Sequence, residues 1–289
     1  MNRLNKKHKK EAGWKRLVVW FLSLTLLTLS LVWMVRGVKL SQWKGQSWFG
    51  LVKQDQSLEV KLVSLEQKKL VRLIIPGETM VKVGFGFGEY RLGKVAQLGE
   101  LEKKPGLILT RTVQDLLGLP ITGWKIGKKS NLTWWDRIRL AWFEKFIAEE
   151  KEEIDLGNSL AWQEGFLGDQ TRIFRVNNSF LDQVLHEQVF NQKLAEESLS
   201  VAVLNASGID GVANSISRLA SNLGVEVRLV SNAPLQEFSE IKMSESKLKS
   251  SMTVKNISQA LGINFIEVVD ILEYRSDVVI VIGQDYTKL

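Results

Sequence analysis

VAVLNASGIDGVANSISRLASNLGVEVRLV, residues 201–230, is the stretch on which the fold of this chain turns. Apolar residues alternate through 199–204 as in a strand, and Asn205-Ala-Ser-Gly208 has turn chemistry. Val212, Ile216, Leu219, Ala220 and Leu223 then recur at helical spacing up to a stop at Gly224. Residues 225–230 read as a second strand. Further on, a short strand is expected near Ile241 and Met243, then a helix with Val254, Ile257 and Leu261 inside and Gly262 as its stop, then strands at 265–268 and 278–282. The run DVVIVIG, 277–283, is apolar throughout, as a strand buried on both faces should be. The pattern predicts an α/β fold class, with 199–289 as a small C-terminal α/β domain whose helices cover one sheet.

Upstream, 58–196 reads as an α+β region. Leu58, Val60, Leu62 and Val63, then Leu70, Leu73, Ile74 and Ile75, form two strands of a hairpin. The stretch 105–118, PGLILTRTVQDLLG, predicts an amphipathic helix with Pro in its first turn and Gly at its end. A second helix is expected from Thr133 to about Glu152, opened by a Thr133-x-x-Asp136 capping pattern. Its stripe of Trp134, Ile138, Trp142 and Phe146 is expected to pack into the core rather than face a bilayer or partner, because its end is acidic. Residues 36–57 read as a polar connector dotted with aromatics, and the region up to 196 includes a helical connector holding His186, which has no signalled partner.

The N-terminal end sets the compartment. Residues 17–35, LVVWFLSLTLLTLSLVWMV, carry no charge, and as a helix they reach about 28 Å, the hydrocarbon thickness of a bilayer. No small-residue cleavage site follows, so an uncleaved single-pass anchor is expected. In the tail, 1–16, Arg3, Lys6, Lys7, Lys9, Lys10, Lys15 and Arg16 oppose only Glu11, so nearly all of the chain's +7 sits there. That bias keeps the tail cytoplasmic and exports the body from the cell membrane. It also argues against a nucleic-acid partner, which needs its positive charge on a folded surface. The chain has no Cys and only two His, which excludes disulfides and thiolate metal sites and leaves little for a histidine one. No cofactor and no metal are expected.

Two stretches resemble known proteins. LVRLIIPGET (70–79) and GFGEYRLGKVAQLGELEKKPGLILTRTVQDLLGLPITGW (86–124) are similar to the first half of the catalytic domain of the LytR-CpsA-Psr family. That resemblance, over 57–124, implies transfer of glycopolymers from a polyprenyl-pyrophosphate carrier to the cell wall, with arginines and acids gripping pyrophosphate and a divalent cation. The chain departs from it: Ile75-Pro76-Gly77-Glu78 stands where the family has Ile-Pro-Arg-Asp, and only Asp169, Arg172 and Arg175 approach its later arginine-rich segment. The region is therefore a degenerate version, with no catalytic residue assigned. VAVLNASGIDGVANSISRLASNLGVEVRLVSNA together with DVVIVIGQD, over 199–285, resembles the domain that follows that catalytic domain in many family members and also occurs without it. This implies a bacterial cell-envelope location and no established reaction.

Candidate site residues follow from chemistry. Gly88 to Lys94 spells G-x-x-x-x-G-K, but Val95 stands where a phosphate loop needs Ser or Thr, so a turn joining strand and helix is expected. Arg91, Lys94 and Arg111 are a candidate anion site at that turn and the following helix. Asn205, Ser207, Gly208, Gly211 and Asp285, with Gly283, lie at strand ends beside a helix N-terminus, a usual ligand position of an open sheet, though a tight turn also accounts for them. The expected function is a membrane-anchored extracytoplasmic envelope protein that binds a cell-wall glycopolymer or an envelope protein without catalysis. The alternative is a divergent glycopolymer phosphotransferase acting on a polyprenyl-pyrophosphate-linked substrate. The enzyme requires Arg91, Lys94, Arg111 and an acid to converge on one apolar cavity.

Overall fold

The computed structural model describes residues 4–44, 47–55, 57–263 and 265–288, and side chains in the first helix from Val19 onward. The basic side chains of the tail lie outside the described residues. Helix α1 (Leu4–Lys39) runs unbroken, and its segment Val19–Lys39 is long and apolar enough to cross a membrane and almost wholly exposed.

The middle region is a mixed sheet. Strands β1 (Phe49–Gln54), β2 (Leu58–Ser64) and β3 (Lys69–Ile75) form an antiparallel meander. A hairpin of β4 (Met80–Val83) and β5 (Gly88–Arg91) leads into α2 (Leu92–Leu101) and α3 (Pro105–Leu117). Then come β6 (Ile121–Ile126), β7 (Lys129–Ser130), α4 (Trp134–Trp142) with a π-helical turn Phe143–Ile147, and β8 (Glu150–Asp155). The six strands order as β7-β6-β1-β2-β3-β8. Val52, Val60, Leu62 and Leu73 face α3, whereas Phe49, Leu51, Val63 and Leu70 face Trp43 and Phe143, so the sheet separates two hydrophobic cores. A small hairpin, β9 (Trp162–Phe166) and β10 (Arg172–Val176), and the helices α5 (Asn178–Val189) and α6 (Gln192–Glu196) complete the region.

Three expectations change here. The connector 36–57 contains β1, a central strand of the sheet, and buries Trp43, Trp48 and Phe49 almost completely. A strand covered on both faces shows no alternation, so its flanking Ser, Gln and Lys make it look like linker. The helix expected to reach Glu152 stops at Ile147, and Glu150–Asp155 becomes an edge strand parallel to β3. Cross-strand ion pairs select that pairing, with Lys68 at 2.6 Å from Glu149, Lys69 at 2.9 Å from Glu152 and Arg72 at 2.9 Å from Glu153. The aromatic stripe is not core: Ile138, Trp142 and Phe146 are exposed, at 54%, 57% and 65%. The glycine stretch 84–88 closes the β4–β5 hairpin, and Gly88–Lys94, expected as a turn joining strand and helix, is β5 running directly into the first turn of α2.

The C-terminal unit follows its sequence pattern closely. It comprises β11 (Ser200–Asn205), α7 (Val212–Asn222), β12 (Glu226–Asn232), β13 (Glu240–Met243), α8 (Met252–Leu261), β14 (Ile266–Val268) and β15 (Val278–Ile282). The strand order β12-β11-β15-β13-β14 places the wholly apolar β15 at the centre, parallel to β11 and antiparallel to β13. Val278, Ile280 and Ile282 pack under α7 and α8, while Val279 and Val281 pack with Ile271 on the opposite face.

Candidate functional site

The β4–β5 turn lies directly on α3. Gly84 donates its N–H to Thr112 Oγ1 at 3.1 Å, and a Cβ on Gly84 would strike the Arg111 stem. Phe85, Gly86 and Gly88 all take left-handed backbone, which only the glycines adopt without strain. On the far side the turn after β11 brings Ile209, Asp210 and Gly211 to the start of α7. Between turn, α3 and α7 lies a cavity of about 540 Å³, lined among others by Gly84, Phe85, Glu89, Arg111, Asp115, Asp210, Gly211 and Ser215. It sits at the seam between the middle region and the C-terminal unit.

The cavity is not an anion cradle. Its acids Glu89, Asp115 and Asp210 outnumber its cations Lys82 and Arg111. Arg111 is committed: Nε donates to Asp115 Oδ2 at 3.1 Å, and the guanidinium lies 3.4 Å above the centre of the Tyr286 ring. Burial pushes the Asp115 carboxyl above its ordinary range against the pull of Arg111 and then Arg218. Burial likewise pushes the Tyr286 phenol up. What the walls offer a ligand is a set of acceptor oxygens beside one aromatic ring, Phe85, with the Ser215 hydroxyl opposite.

Of the candidate anion residues, then, only Arg111 lines this cavity. Arg91, at the end of β5, stands near Asp169, whose carboxyl is held low by the Thr171 N–H and hydroxyl first and by Arg91 last. Lys94 is exposed on α2. Arg172, from the segment nearest the family's arginine-rich one, is paired with Glu164 at 2.8 Å and stacked on Phe174. Among the described residues no three His, Asp or Glu gather as a metal site would require.

Of the second candidate group, Gly211 reaches the cavity. Asn205 and Ser207 are consumed by the turn: Asn205 Oδ1 accepts from the Ser207 hydroxyl at 2.7 Å, and its Nδ2 donates to the Ile209 carbonyl at 2.9 Å. Gly208 supplies the left-handed residue. Asp285 Oδ1 accepts from the Ser239 hydroxyl and N–H, and Ser239 Oγ accepts from the Gly283 N–H at 2.9 Å. A Cβ on Gly283 would press into the backbone of Phe238 and Ser239. Gly283→Ala is therefore expected to destabilise the protein by about 3 kcal/mol, read by denaturant unfolding, because backbone cannot yield as a side-chain tip can.

A second charged cluster, Lys53, Glu59, Lys61, Arg72 and Glu144, covers the sheet beside α4. It is closed on itself, with Lys61 3.0 Å from Glu144 and Arg72 3.0 Å from Glu59. Burial, then the neighbouring Lys61, lowers the Lys53 ammonium to about 8.

Comparison with solved structures returns low likenesses. TagT of Bacillus subtilis with bound octaprenyl pyrophosphate lipid is 13% identical at a TM-score of 0.40, covering 50% of this chain and 89% of that one. The putative transcriptional regulator ywtF of Bacillus subtilis is 12% identical at 0.42, covering 63% and 92%. A transcriptional regulator of Enterococcus faecalis is 10% identical at 0.40, covering 64% and 90%. Scores of this size assign neither fold nor function. No curated protein sequence matches the chain. Residues 198–286, the unit built on the β11 turn and the central β15, match the family described as LytR cell envelope-related transcriptional attenuator, so the C-terminal unit of this chain is a LytR_C domain.

Proposed function

We infer that this chain is a membrane-anchored, extracytoplasmic cell-envelope protein, with its N-terminus cytoplasmic and its body outside. The seam cavity binds the hydroxyl-rich part of a wall glycopolymer and carries out no reaction on it. The envelope assignment is supported by the LytR_C match and by an exposed apolar helix behind a basic tail. The non-catalytic half is carried by the charge of the cavity. Stabilising a pyrophosphate leaving group needs clustered cations, and here Arg111 is neutralised by Asp115 while Arg91 and Lys94 stand elsewhere. Sugar hydroxyls, by contrast, are donors that Glu89, Asp115 and Asp210 can accept from, with Phe85 available to an apolar sugar face.

The test uses the full chain in lipid nanodiscs, mixed with purified wall fragments or with a polyprenyl-pyrophosphate-linked saccharide. Retention on wall fragments is expected, with Glu89→Ala/Asp210→Ala weakening it about tenfold, the loss of roughly one charge-assisted hydrogen bond. The lipid-linked saccharide should remain intact. Cleavage of it in a cavity-dependent manner would establish the phosphotransferase instead. Binding unchanged by the double variant, or capture only of an envelope protein, would remove the glycan assignment.

A further inference from the structure

The C-terminal end of α1 and the start of α4 are joined. Trp33, near the outer end of the apolar segment, stacks flat on Trp134 with ring centres 4.4 Å apart. Gly37 lies so close to Trp134 that a Cβ there would overlap the indole. The chain leaving the span is held to the same helix through Asp136, which accepts from the Ser41 hydroxyl and from the Gln42 and Trp43 N–H groups. Thus α4 begins at the level of the membrane that Trp33 marks, since Trp is the residue that settles at membrane–water boundaries.

From Trp134 the same side of α4 continues, at intervals of one turn, through Ile138 and Trp142 to Phe146 on the π-helical turn. These three are more than half exposed, and the neighbouring Ala141 is also open. Arg137 and Lys145, both exposed, flank the stripe, and Lys145 lies 5.2 Å from the Phe146 ring. An exposed apolar stripe that starts on a membrane span and is edged by long cationic side chains has the composition of a helix lying in the headgroup layer, with Lys and Arg reaching the phosphates.

We propose that α4 and its π-helical turn form an interfacial helix that lies in the outer leaflet surface, with Ile138, Trp142 and Phe146 inserted and Arg137 and Lys145 at the lipid phosphates. The proposal rests on the reading of α1 as a span. It gives the body a second attachment, so that the folded unit is held against the bilayer rather than swinging on one helix.

The chain has no native cysteine, so single labels report cleanly. An environment-sensitive fluorophore is placed on Ala141→Cys or Lys145→Cys, with Leu27→Cys in the span and Leu272→Cys in the C-terminal unit as references, in the full chain reconstituted into vesicles of phosphatidylglycerol and phosphatidylethanolamine. Quenching by a nitroxide carried near the lipid headgroup is expected to be at least about threefold stronger at 141 and 145 than at 272, while 27 responds to a nitroxide deep in the acyl chain. Trp142→Ser/Phe146→Ser should bring 141 and 145 down to the level of 272.

If 27 is quenched but 141 and 145 behave as 272, the interfacial helix is wrong and the span stands. If 27 is not quenched, the span reading fails and the proposal with it. Shielding of 141 and 145 from aqueous iodide without lipid quenching would mean that a protein covers the stripe, which also overturns the proposal. Quenching that survives the double substitution would deny the apolar stripe its role.

Discussion

Arg218→Ala is expected to destabilise the full chain by about 3 kcal/mol, the usual cost of breaking a mostly buried charge pair and leaving its partners unpaired. Arg218 leaves α7 and ties three elements together. Its Nε sits 2.7 Å from the Asp182 carboxylate on α5, and its Nη1 donates to the carbonyls of Asp115 and Leu116 at 3.1 and 2.9 Å. Those carbonyls belong to the last turn of α3, where no helical N–H reaches them, and a cation there also meets the negative end of the helix dipole. Asn222, one turn further along α7, donates to the Gly118 carbonyl at 3.1 Å and so continues the cap. Removing the guanidinium leaves Asp182 without its ion pair and strips the α3 terminus of a donor at the seam. Lys cannot replace it, because one ammonium does not serve a carboxylate and two carbonyls in a planar fork. Denaturant unfolding followed by tryptophan fluorescence should show Arg218→Ala and Arg218→Lys both weakened. A variant within about 0.5 kcal/mol of the parent would mean that the seam does not depend on this contact.

Asp136→Ala should cost a similar amount, about 3 kcal/mol, and should also loosen the attachment of the body to helix α1. The Asp136 side chain is fully buried and accepts from Ser41, Gln42, Trp43 and Thr133. Thr133 and Asp136 form the capping box of α4, so one carboxylate both starts that helix and pins the residues that follow α1. Burial on its own would push this carboxyl up, yet the hydrogen bonds from Ser41, Thr133 and Gln42 hold it below its ordinary range. A folded pKa below the unfolded value of about 3.9 means that the stabilisation is complete above that pH and is lost as pH falls towards and through the folded value. Parent protein should therefore lose stability on acidification below about pH 4, and Asp136→Asn should flatten that part of the curve while lowering its plateau. An acid limb unchanged in Asp136→Asn would assign the loss to other carboxylates.

Much of the C-terminal unit was legible because its signals are local. The β15 run is apolar at every position, α7 and α8 carry one apolar face each, and Gly224 and Gly262 mark their ends. In the middle region the helix 105–118 was legible for the same reason, with Pro in the first turn and Gly118 in left-handed backbone. The strand β1 was not, since a strand buried on both faces and placed between β2 and β6 has no alternation to display. Nor was the end of α4, because Glu150 to Glu153 read equally as a solvated helix end until Lys69 and Arg72 of β3 are brought alongside.

For the candidate site, Arg111 and Gly211 were visible as chemistry; Asp115 was not singled out, although its place four residues after Arg111 on a helix is the spacing of an ion pair. That Arg111 and Gly211 share one cavity was not visible, because they lie a hundred residues apart and meet only where α7 packs on α3. The sequence by itself determined the α/β class, the long apolar N-terminal helix and the location of surplus charge, each of which depends on periodicity or composition along the chain. Tertiary structure alone decided that Arg111 is neutralised, that Asn205 and Ser207 are spent on a turn and Asp285 on holding Ser239, and that the α4 stripe faces outward. Whether a charge or a ring is free depends on which distant side chains reach it first, and no local spacing records that.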